Sequence, residues 1–421
     1  MPATAARYGT RIAGLTVAGS ESITSALKPS PFWTINEILR TDQHGSYRHA
    51  FLSFCPRPES GRLTRRWKVD SKDLRCNEHD ADTRDAPDGW RRRFLGSLAL
   101  GTGAGVAGSL GLGVAGLAHA ATPPAGARIV VTAPTGNIGA QLLTNLLASG
   151  ATIRVIARDP SQLTAQVRAR VEVVQGSHGD ASVVDRAFEG ADSVFWLCPP
   201  DPGAKSVMAA YVDFTRPACE AIKRHGVRRV VGITALGRGT PMAANAGHVT
   251  ASLAMDDLIA ETGVAFRALT LPSFMDNIAR QAAPIRDQGM FFLPIDGDRK
   301  LPAVASCDIA SVAAGLLLDP SWDDSGERPA LGPEDLSFND MARIMSEVLG
   351  KPVRYRQITL EAYKAGFVQR GMSDAMAQGM TDMARAKNEG LDNAVQRTPG
   401  NSTPTHFRQW CEEALKPRVL G

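Results

Sequence analysis

The chain contains few cysteines, and none of them has the spacing of a metal site. Six cysteines are spread over 421 residues, without a Cys-x-x-Cys pair and without a Cys/His set at ligand spacing. We therefore expect no metal centre. The six are Cys55, Cys76, Cys198, Cys219, Cys307 and Cys411.

The chain also lacks a strong excess of basic residues over most of its length. Residues 1–120 hold 16 of the 47 Lys and Arg and 11 of the 43 Asp and Glu, which leaves 31 basic and 32 acidic residues downstream. The net charge of +4 thus belongs to the front of the chain. A nearly neutral body does not attract a polyanion, so nucleic-acid binding is not favoured. No repeat with a period of 20 to 50 residues is present either.

One biased segment, residues 88–120, has the plan of an export signal. Arg91 and Arg92 precede an uncharged, glycine-rich run that ends in the small-x-small stretch 118–120. The string RRRFLG resembles the twin-arginine consensus. Glycine disfavours a permanent membrane helix, so we expect export to the periplasm and no stable membrane span once the signal is removed. A cytoplasmic location with a vestigial signal is the alternative.

Residues 1–87 show no sustained helical or strand periodicity. No methionine occurs between Met1 and Met208, so a start close to the signal would need a non-Met codon, such as that of Val69 or Leu74. We interpret residues 1–87 as a mis-assigned upstream extension. A genuine disordered leader is the alternative interpretation.

Downstream of residue 121, short β-branched runs alternate with helical patterns. This alternation predicts an α/β fold with a doubly wound parallel sheet, in which ligands lie at the carboxyl ends of the strands. The predicted strands are 128–132, 152–157, 171–175, 193–197, 229–234 and 266–271, and the predicted helices are 138–148, 182–188, 205–224 and 251–261.

The string RIVVTAPTGNIGAQLL, residues 128–143, predicts a phosphate-binding loop between the first strand and the first helix. Gly136 allows the backbone to approach a pyrophosphate, and Gly139 allows the helix to pack close to the sheet. Free amides at the helix start would face the phosphates. The loop residues expected to bind the dinucleotide are Ala133, Thr135, Gly136, Asn137, Ile138 and Gly139.

Ala133 and Pro134 depart from the usual glycine-rich pattern of such loops. Because a proline disfavours helical backbone in the residue before it, we expect an extended Ala133 and a turn with a different backbone path.

Arg158 ends the second predicted strand, where an acidic residue would bind a ribose hydroxyl and a guanidinium can pair with a 2′-phosphate. NADP is therefore favoured over NAD, although the adjacent Asp159 keeps NAD open. Asp180, after the third strand, is expected either beside the adenine or as a helix cap.

Several blocks together resemble the NmrA-like branch of atypical short-chain dehydrogenases. They are VTAPTGNIG, VIARDP, GADSVFWLCPP, VVGITALGRGT, LTLPSFMDNI and SCDIASVAAGLLLDP. The resemblance implies a Rossmann domain over residues 121–275 that binds NADP(H). It also implies a smaller substrate-side lobe over residues 276–421 that closes over the nicotinamide end.

The Tyr-x-x-x-Lys pair of the wider superfamily is missing, because the helix from His248 onward contains neither residue. A missing positioned acid disfavours ordinary ketone reduction. We therefore expect hydride transfer to a small apolar, quinone-like acceptor, with a non-catalytic NADP(H) redox sensor as the alternative. No catalytic residue is assigned, and His248 is either a proton donor or a helix-start histidine.

Two strand ends are expected to contribute to the dinucleotide site. Leu197 ends the fourth predicted strand and is followed by Cys198 and Pro199, where Cys198 either lines the nicotinamide pocket or is a buried inert thiol. Thr234 ends the fifth strand at the position of the superfamily's catalytic hydroxyl, and without the tyrosine it is interpreted as a backbone-bonding residue. The expected apolar lip of the pocket is Pro199, Pro200, Leu236, Pro272, Phe274 and Phe291.

Overall fold

A computed structural model of the protein describes residues 127–421. The two predictions for residues 1–87 and 88–120 lie outside the described residues. The strands are β1 (Arg128–Val131), β2 (Thr152–Ala157), β3 (Glu172–Gln175), β4 (Ser193–Trp196), β5 (Arg229–Ala235), β6 (Ala265–Leu271), β7 (Ser273–Phe274), β8 (Met290–Leu293), β9 (Leu301–Val304), β10 (Gly326–Pro329), β11 (Asp335–Leu336) and β12 (Arg354–Gln357).

The helices surround these strands on several sides. They are α1 (Asn137–Ala148), α2 (Ala165–Arg168), α3 (Ala181–Phe188), α4 (Phe214–His225), α5 (His248–Ala260), α6 (Asp276–Ala279), α7 (Ala282–Gln288), α8 (Ser306–Leu318), α9 (Phe338–Leu349), α10 (Leu360–Gln369), α11 (Asp374–Asn388), α12 (Phe407–Trp410) and α13 (Lys416–Leu420).

A seven-stranded parallel sheet forms the centre, in the order β10-β6-β5-β4-β1-β2-β3. The strand order reverses between β1 and β4, so a crevice opens there at the carboxyl ends of the strands. The predicted doubly wound α/β sheet is confirmed, and all six predicted strands are present. β10 was not predicted, because its short Gly-Glu-Arg-Pro sequence has the charge and proline of an edge strand.

Alternate residues of the sheet face two separate apolar layers. On β1, Ile129 and Val131 pack into the layer formed with α1 and α8, whereas Val130 packs into the layer formed with α3, α4 and α5. Both faces are covered, which explains why the central strands are continuous apolar runs.

The C-terminal part forms a smaller lobe with its own core around Phe291, Phe338, Met345 and Phe407. It contains the three-stranded sheet β11-β9-β7 and the parallel pair β12-β8. The division expected at residue 275 differs from the packing in one respect. α8 and β10 come after that residue, yet α8 packs on the central sheet and β10 extends it.

Candidate functional site

The turn between β1 and α1 presents free backbone amides. Thr135, Gly136 and Asn137 are exposed. Gly136 occupies the N-cap in an extended conformation, no side chain caps the helix, and its first turn contains no acidic residue. The first amides of a helix have no partner inside the helix, so this end of α1 can accept an anion.

Ala133 has a positive φ of 49° and is the one non-glycine residue with positive φ among residues 127–421. The expectation of an extended Ala133 is therefore wrong. The amide of Gly136 donates to the Ala133 carbonyl at 3.2 Å, which closes a tight turn. The left-handed region costs alanine about 1–2 kcal/mol, so the turn stores strain that a glycine would relieve.

Gly139 is required by contact with this turn. A Cβ atom at Gly139 would lie 2.1 Å from the Ala133 carbonyl oxygen, which no real contact allows. A Cβ at Gly136 would meet only that same oxygen, at 3.5 Å, an ordinary contact distance. Gly139 therefore serves packing, whereas space around Gly136 remains open toward the crevice. Ile138, between them, is buried under the helix.

The ends of β1 and β4 are joined by the side chain of Thr132. Its hydroxyl donates to the Phe195 carbonyl at 3.0 Å and accepts from the Leu197 amide at 2.9 Å. His178 Nε2 lies 3.0 Å from the Leu197 carbonyl, with its ring edge-on to Trp196. Burial lowers the pKa of His178 to about 4, so the ring is neutral and serves to hold the end of β4 in place. His178 was not among the site residues predicted from the sequence.

Arg158 and Asp159 differ in what they offer a ligand. The Asp159 carboxylate accepts from the Ser161 amide at 2.9 Å and the Ser161 hydroxyl at 2.6 Å, and it is further bonded by Gln162. The exposed Arg158 guanidinium has no side-chain hydrogen bond or ion pair with any described residue. Of these two side chains at the end of β2, Arg158 is thus the one that is available to a ligand.

The other expected dinucleotide contacts have different environments. Asp180 occupies the N-cap of α3, but its exposed side chain makes no capping bond. Pro199 is exposed at the crevice edge. The Cys198 thiol donates to the Ala210 carbonyl at 3.2 Å within the α4 side of the core, and burial raises its pKa to about 12. Cys198 is therefore a buried, unreactive thiol.

Thr234 is not bonded to backbone, contrary to expectation. Its buried hydroxyl donates to the Asp256 carboxylate at 2.6 Å and lies 3.0 Å from the Ser252 hydroxyl. Burial raises the pKa of Asp256 to about 7, although the Thr234 hydrogen bond and nearby Arg238 oppose the shift. The second carboxylate oxygen of Asp256 is buried without a partner. The Thr234 hydroxyl is thus occupied by its hydrogen bond to the buried carboxyl group of Asp256 on α5.

His248 is a buried histidine at the start of α5. Its Nε2 atom lies 3.1 Å from the Met376 carbonyl on α11, and burial lowers its pKa. These contacts support the helix-start interpretation, because the imidazole connects α5 to α11 instead of facing a cavity.

Asp276, which the sequence analysis did not single out, connects three segments. One of its oxygens accepts from the Ser306 hydroxyl at 2.7 Å at the start of α8, and the other lies 3.5 Å from the Asn137 side-chain amide at the start of α1. Asp276 therefore links the turn between β1 and α1 to the segment after β6. Asp308 holds Thr405 through two hydrogen bonds of 2.9 and 2.8 Å.

An apolar cavity of about 790 Å³ lies between the segment after β6 and the C-terminal helices. Aromatic and methionine side chains supply much of its lining, and it extends from Phe274 to α10 and α11. Of the expected lip residues only Phe274 lines this cavity. Phe291 and Leu236 are buried packing residues. Neighbouring positions on a strand face opposite sides, so on β8 it is Phe292 and not Phe291 that reaches the cavity.

Two further structural findings concern the described residues. Within 127–421, no group of three His, Cys, Asp or Glu side chains is placed to hold a metal ion. None of the helices in this part of the chain is both long enough and apolar enough to cross a bilayer.

The family model described as the NmrA-like family matches residues 126–408. The chain belongs to the NmrA-like family. This NmrA-like protein is 28% identical over 255 residues to an NAD(P)H azoreductase from Xenophilus azovorans, covering 61% of this chain and 85% of the relative. It is 27% identical over 291 residues to a (4-alkanoyl-5-oxo-2,5-dihydrofuran-3-yl)methyl phosphate reductase from Streptomyces griseus, covering 68% of this chain and 97% of the relative.

Two solved structures share the fold of this NmrA-like protein. One is a triphenylmethane reductase from Citrobacter complexed with NADP(H), with a TM-score of 0.57 and 18% identity, covering 69% of this chain and 99% of that one. The other is an NADPH-dependent quinone oxidoreductase from Escherichia coli complexed with NADPH, with a TM-score of 0.54 and 20% identity, covering 67% and 97%. At such identities the likeness concerns the fold alone.

The strain at Ala133 predicts that Ala133→Gly raises the free energy of unfolding by about 0.5–1 kcal/mol, because glycine adopts positive φ without steric cost. The matched control is Ala140→Gly, at an exposed position of α1, which should lower stability by about 0.5–1 kcal/mol. Urea unfolding of both variants measures the difference. A loss of stability in both would contradict the strain at Ala133.

The raised pKa of Asp256 predicts pH-dependent stability. Between its ordinary value of 3.8 and about 7, the folded protein holds a proton that the unfolded chain has lost. This group therefore destabilises the fold progressively as the pH rises through that window. Asp256→Asn should stabilise the protein more at pH 8 than at pH 5, as measured by urea unfolding. Asp323→Asn, at an exposed aspartate without an ion pair among the described residues, is the control, and an equal effect of Asp256→Asn at both pH values would rule out the buried acid.

Proposed function

We propose that this protein is an NADPH-dependent reductase that transfers a hydride to a flat, apolar, quinone-like acceptor. The observation that carries the proposal is the uncapped start of α1, joined through Asp276 to the segment that lines the apolar cavity. A dinucleotide site and an acceptor site are thereby adjacent in one fold. NADPH, when bound, supplies the hydride.

The residues at the crevice fit a phosphorylated dinucleotide. The free amides after Gly136 suit a pyrophosphate, and Gly136, which has no side chain, leaves its approach open. The unpaired Arg158 guanidinium suits a 2′-phosphate, whereas the carboxylate of Asp159 is already occupied by Ser161. These contacts favour NADP over NAD.

The chemistry of the site favours an acceptor that needs little acid catalysis. α5 carries no tyrosine or lysine, and the Thr234 hydroxyl is bonded to Asp256. Without a positioned proton donor, reduction of an ordinary ketone would lose about 10²–10⁴ in rate. A strongly electron-accepting ring depends mainly on proximity and orientation, which the apolar cavity provides. The names of the azoreductase, quinone oxidoreductase and triphenylmethane reductase relatives agree with such acceptors.

A non-catalytic NADP(H) redox sensor is the second candidate function. The same missing proton donor on α5 favours it, since binding needs no acid. The two candidates differ in a single measurable property, the oxidation of NADPH.

The function is tested with the full chain. NADPH is titrated by fluorescence, and the loss of NADPH absorbance is then followed with naphthoquinones and benzoquinones. We expect saturable binding and steady oxidation, both lost in Gly136→Val, whose side chain would fill the phosphate approach. Binding without oxidation by any quinone would refute the reductase and favour the sensor.

Arg158→Ala should weaken NADPH binding by about 1–3 kcal/mol, the range of a charged hydrogen bond, and leave NADH binding unchanged. Titration with both nucleotides measures the selectivity. Arg168→Ala, at another exposed arginine of the same domain, serves as the control. An equal loss of affinity for NADPH and NADH would overturn the assignment of Arg158.

We also propose that residues 88–120 direct the folded protein to the periplasm, with the dinucleotide taken up before export. The supporting feature is the Arg91-Arg92 pair ahead of an uncharged, glycine-rich run. Cell fractionation should find the wild type in the periplasm and an Arg91→Lys, Arg92→Lys variant in the cytoplasm. The same cytoplasmic location for both would favour a vestigial signal.

A further inference from the structure

The lining of the apolar cavity has an unbalanced charge. It includes Arg280, Arg370 and Lys387 but no aspartate or glutamate. Arg280 and Arg370 are exposed to solvent, whereas Lys387 is buried.

Lys387 is neutralised locally. Its ammonium group is paired with the buried Asp392 carboxylate. Asp374, at the start of α11, is also occupied, because it pairs with Lys364 of α10 at 2.9 Å. These acids are therefore not available to the two arginines.

Arg280 and Arg370 have no such partner. Neither guanidinium has a carboxylate within 4.0 Å or a side-chain hydrogen bond among residues 127–421. Arg370 follows the last turn of α10 and stacks over the Phe367 ring at 4.9 Å. This stacking limits its rotamers and leaves the edge of the planar group free for hydrogen bonds.

Tyr363 lies in the same cavity lining as the two arginines. Its ring packs edge-on against Phe367 at 4.8 Å, and it lines the cavity. The phenol makes no hydrogen bond with any described side chain or carbonyl. Burial raises the pKa of Tyr363 to about 12, while the positive charges of Arg370 and Arg280 oppose the shift. The cavity lining thus holds a neutral donor and two cations without a carboxylate partner among the described residues.

We propose that this cavity binds an aromatic molecule that carries an anionic group, such as a sulfonate, carboxylate or phosphate. The aromatic part lies among the phenylalanine and methionine side chains. The anion takes hydrogen bonds from Arg280, Arg370 and the Tyr363 phenol. The inference rests on the proposed function in identifying this molecule as the hydride acceptor, and its recognition of charge is separate from turnover.

Comparing an anionic ligand with a neutral ligand of similar shape measures the contribution of the charge to binding. The affinities of the full chain for naphthalene-2-sulfonate and naphthalene-2-sulfonamide are measured by calorimetry in the presence of NADP⁺. We expect the sulfonate to bind at least about tenfold more tightly, the order expected for one charge-assisted hydrogen bond. Arg280→Gln and Arg370→Gln should each reduce this ratio by about tenfold. Tyr363→Phe should reduce it less, because a neutral donor contributes less.

Arg418→Gln, at an exposed arginine of the same lobe that does not line the cavity, is the matched control and should leave the ratio unchanged. Equal affinities for the two naphthalenes in the wild type, or no binding of either, would overturn the inference. Quinone turnover without a preference for charge would leave the reductase standing and reject the anion site. A preserved sulfonate preference without NADPH oxidation would support the anion site and reject the reductase.

Discussion

The close approach of α1 to the end of β1 is the constraint on which the site depends. At Gly139 the helix lies so near the Ala133 carbonyl that no Cβ fits between them. This approach forces the chain to turn back sharply, and Ala133 takes a positive φ to allow it. The free amides of α1 then face the crevice. A more relaxed turn would move the helix away from the sheet, and the same amides would face solvent without a neighbouring cavity.

The rest of the crevice is held by polar contacts that link distant parts of the chain. Thr132 and His178 fix the end of β4, and Asp276 ties the segment after β6 to the start of both α1 and α8. Each contact replaces a backbone or side-chain interaction with water by one inside the protein, so a single lost partner leaves another group unsatisfied. Rigidity at this edge thus comes from a few side chains in addition to the sheet itself.

Much of the fold followed from local patterns. The β-branched runs and the glycine spacing predicted the strands and the first helix, because periodicity and turn chemistry are local properties. The conformation of Ala133 did not follow, since the preference imposed by Pro134 was overcome by the packing of Gly139. The cluster of Thr234 with Ser252 and Asp256 was also missed, because it joins β5 to α5 across a sequence separation that no pattern encodes. The packing of α8 on the central sheet and the addition of β10 to it were not predicted either, because these contacts also join segments that are far apart in the sequence.

Because α5 lacks the Tyr/Lys pair, its role in this structure is to position neighbouring elements. Ser252 and Asp256 face inward to Thr234, and His248 bonds to α11, so this helix fixes the position of neighbouring elements. Groups that can touch a bound acceptor must then come from elsewhere. In this structure they come from the segment after β6 and from α10 and α11, which line the cavity. Under the proposed function, selectivity for the acceptor resides in the C-terminal lobe and the dinucleotide is held at the sheet edge, with Asp276 and the His248–Met376 contact among the polar links between the two parts.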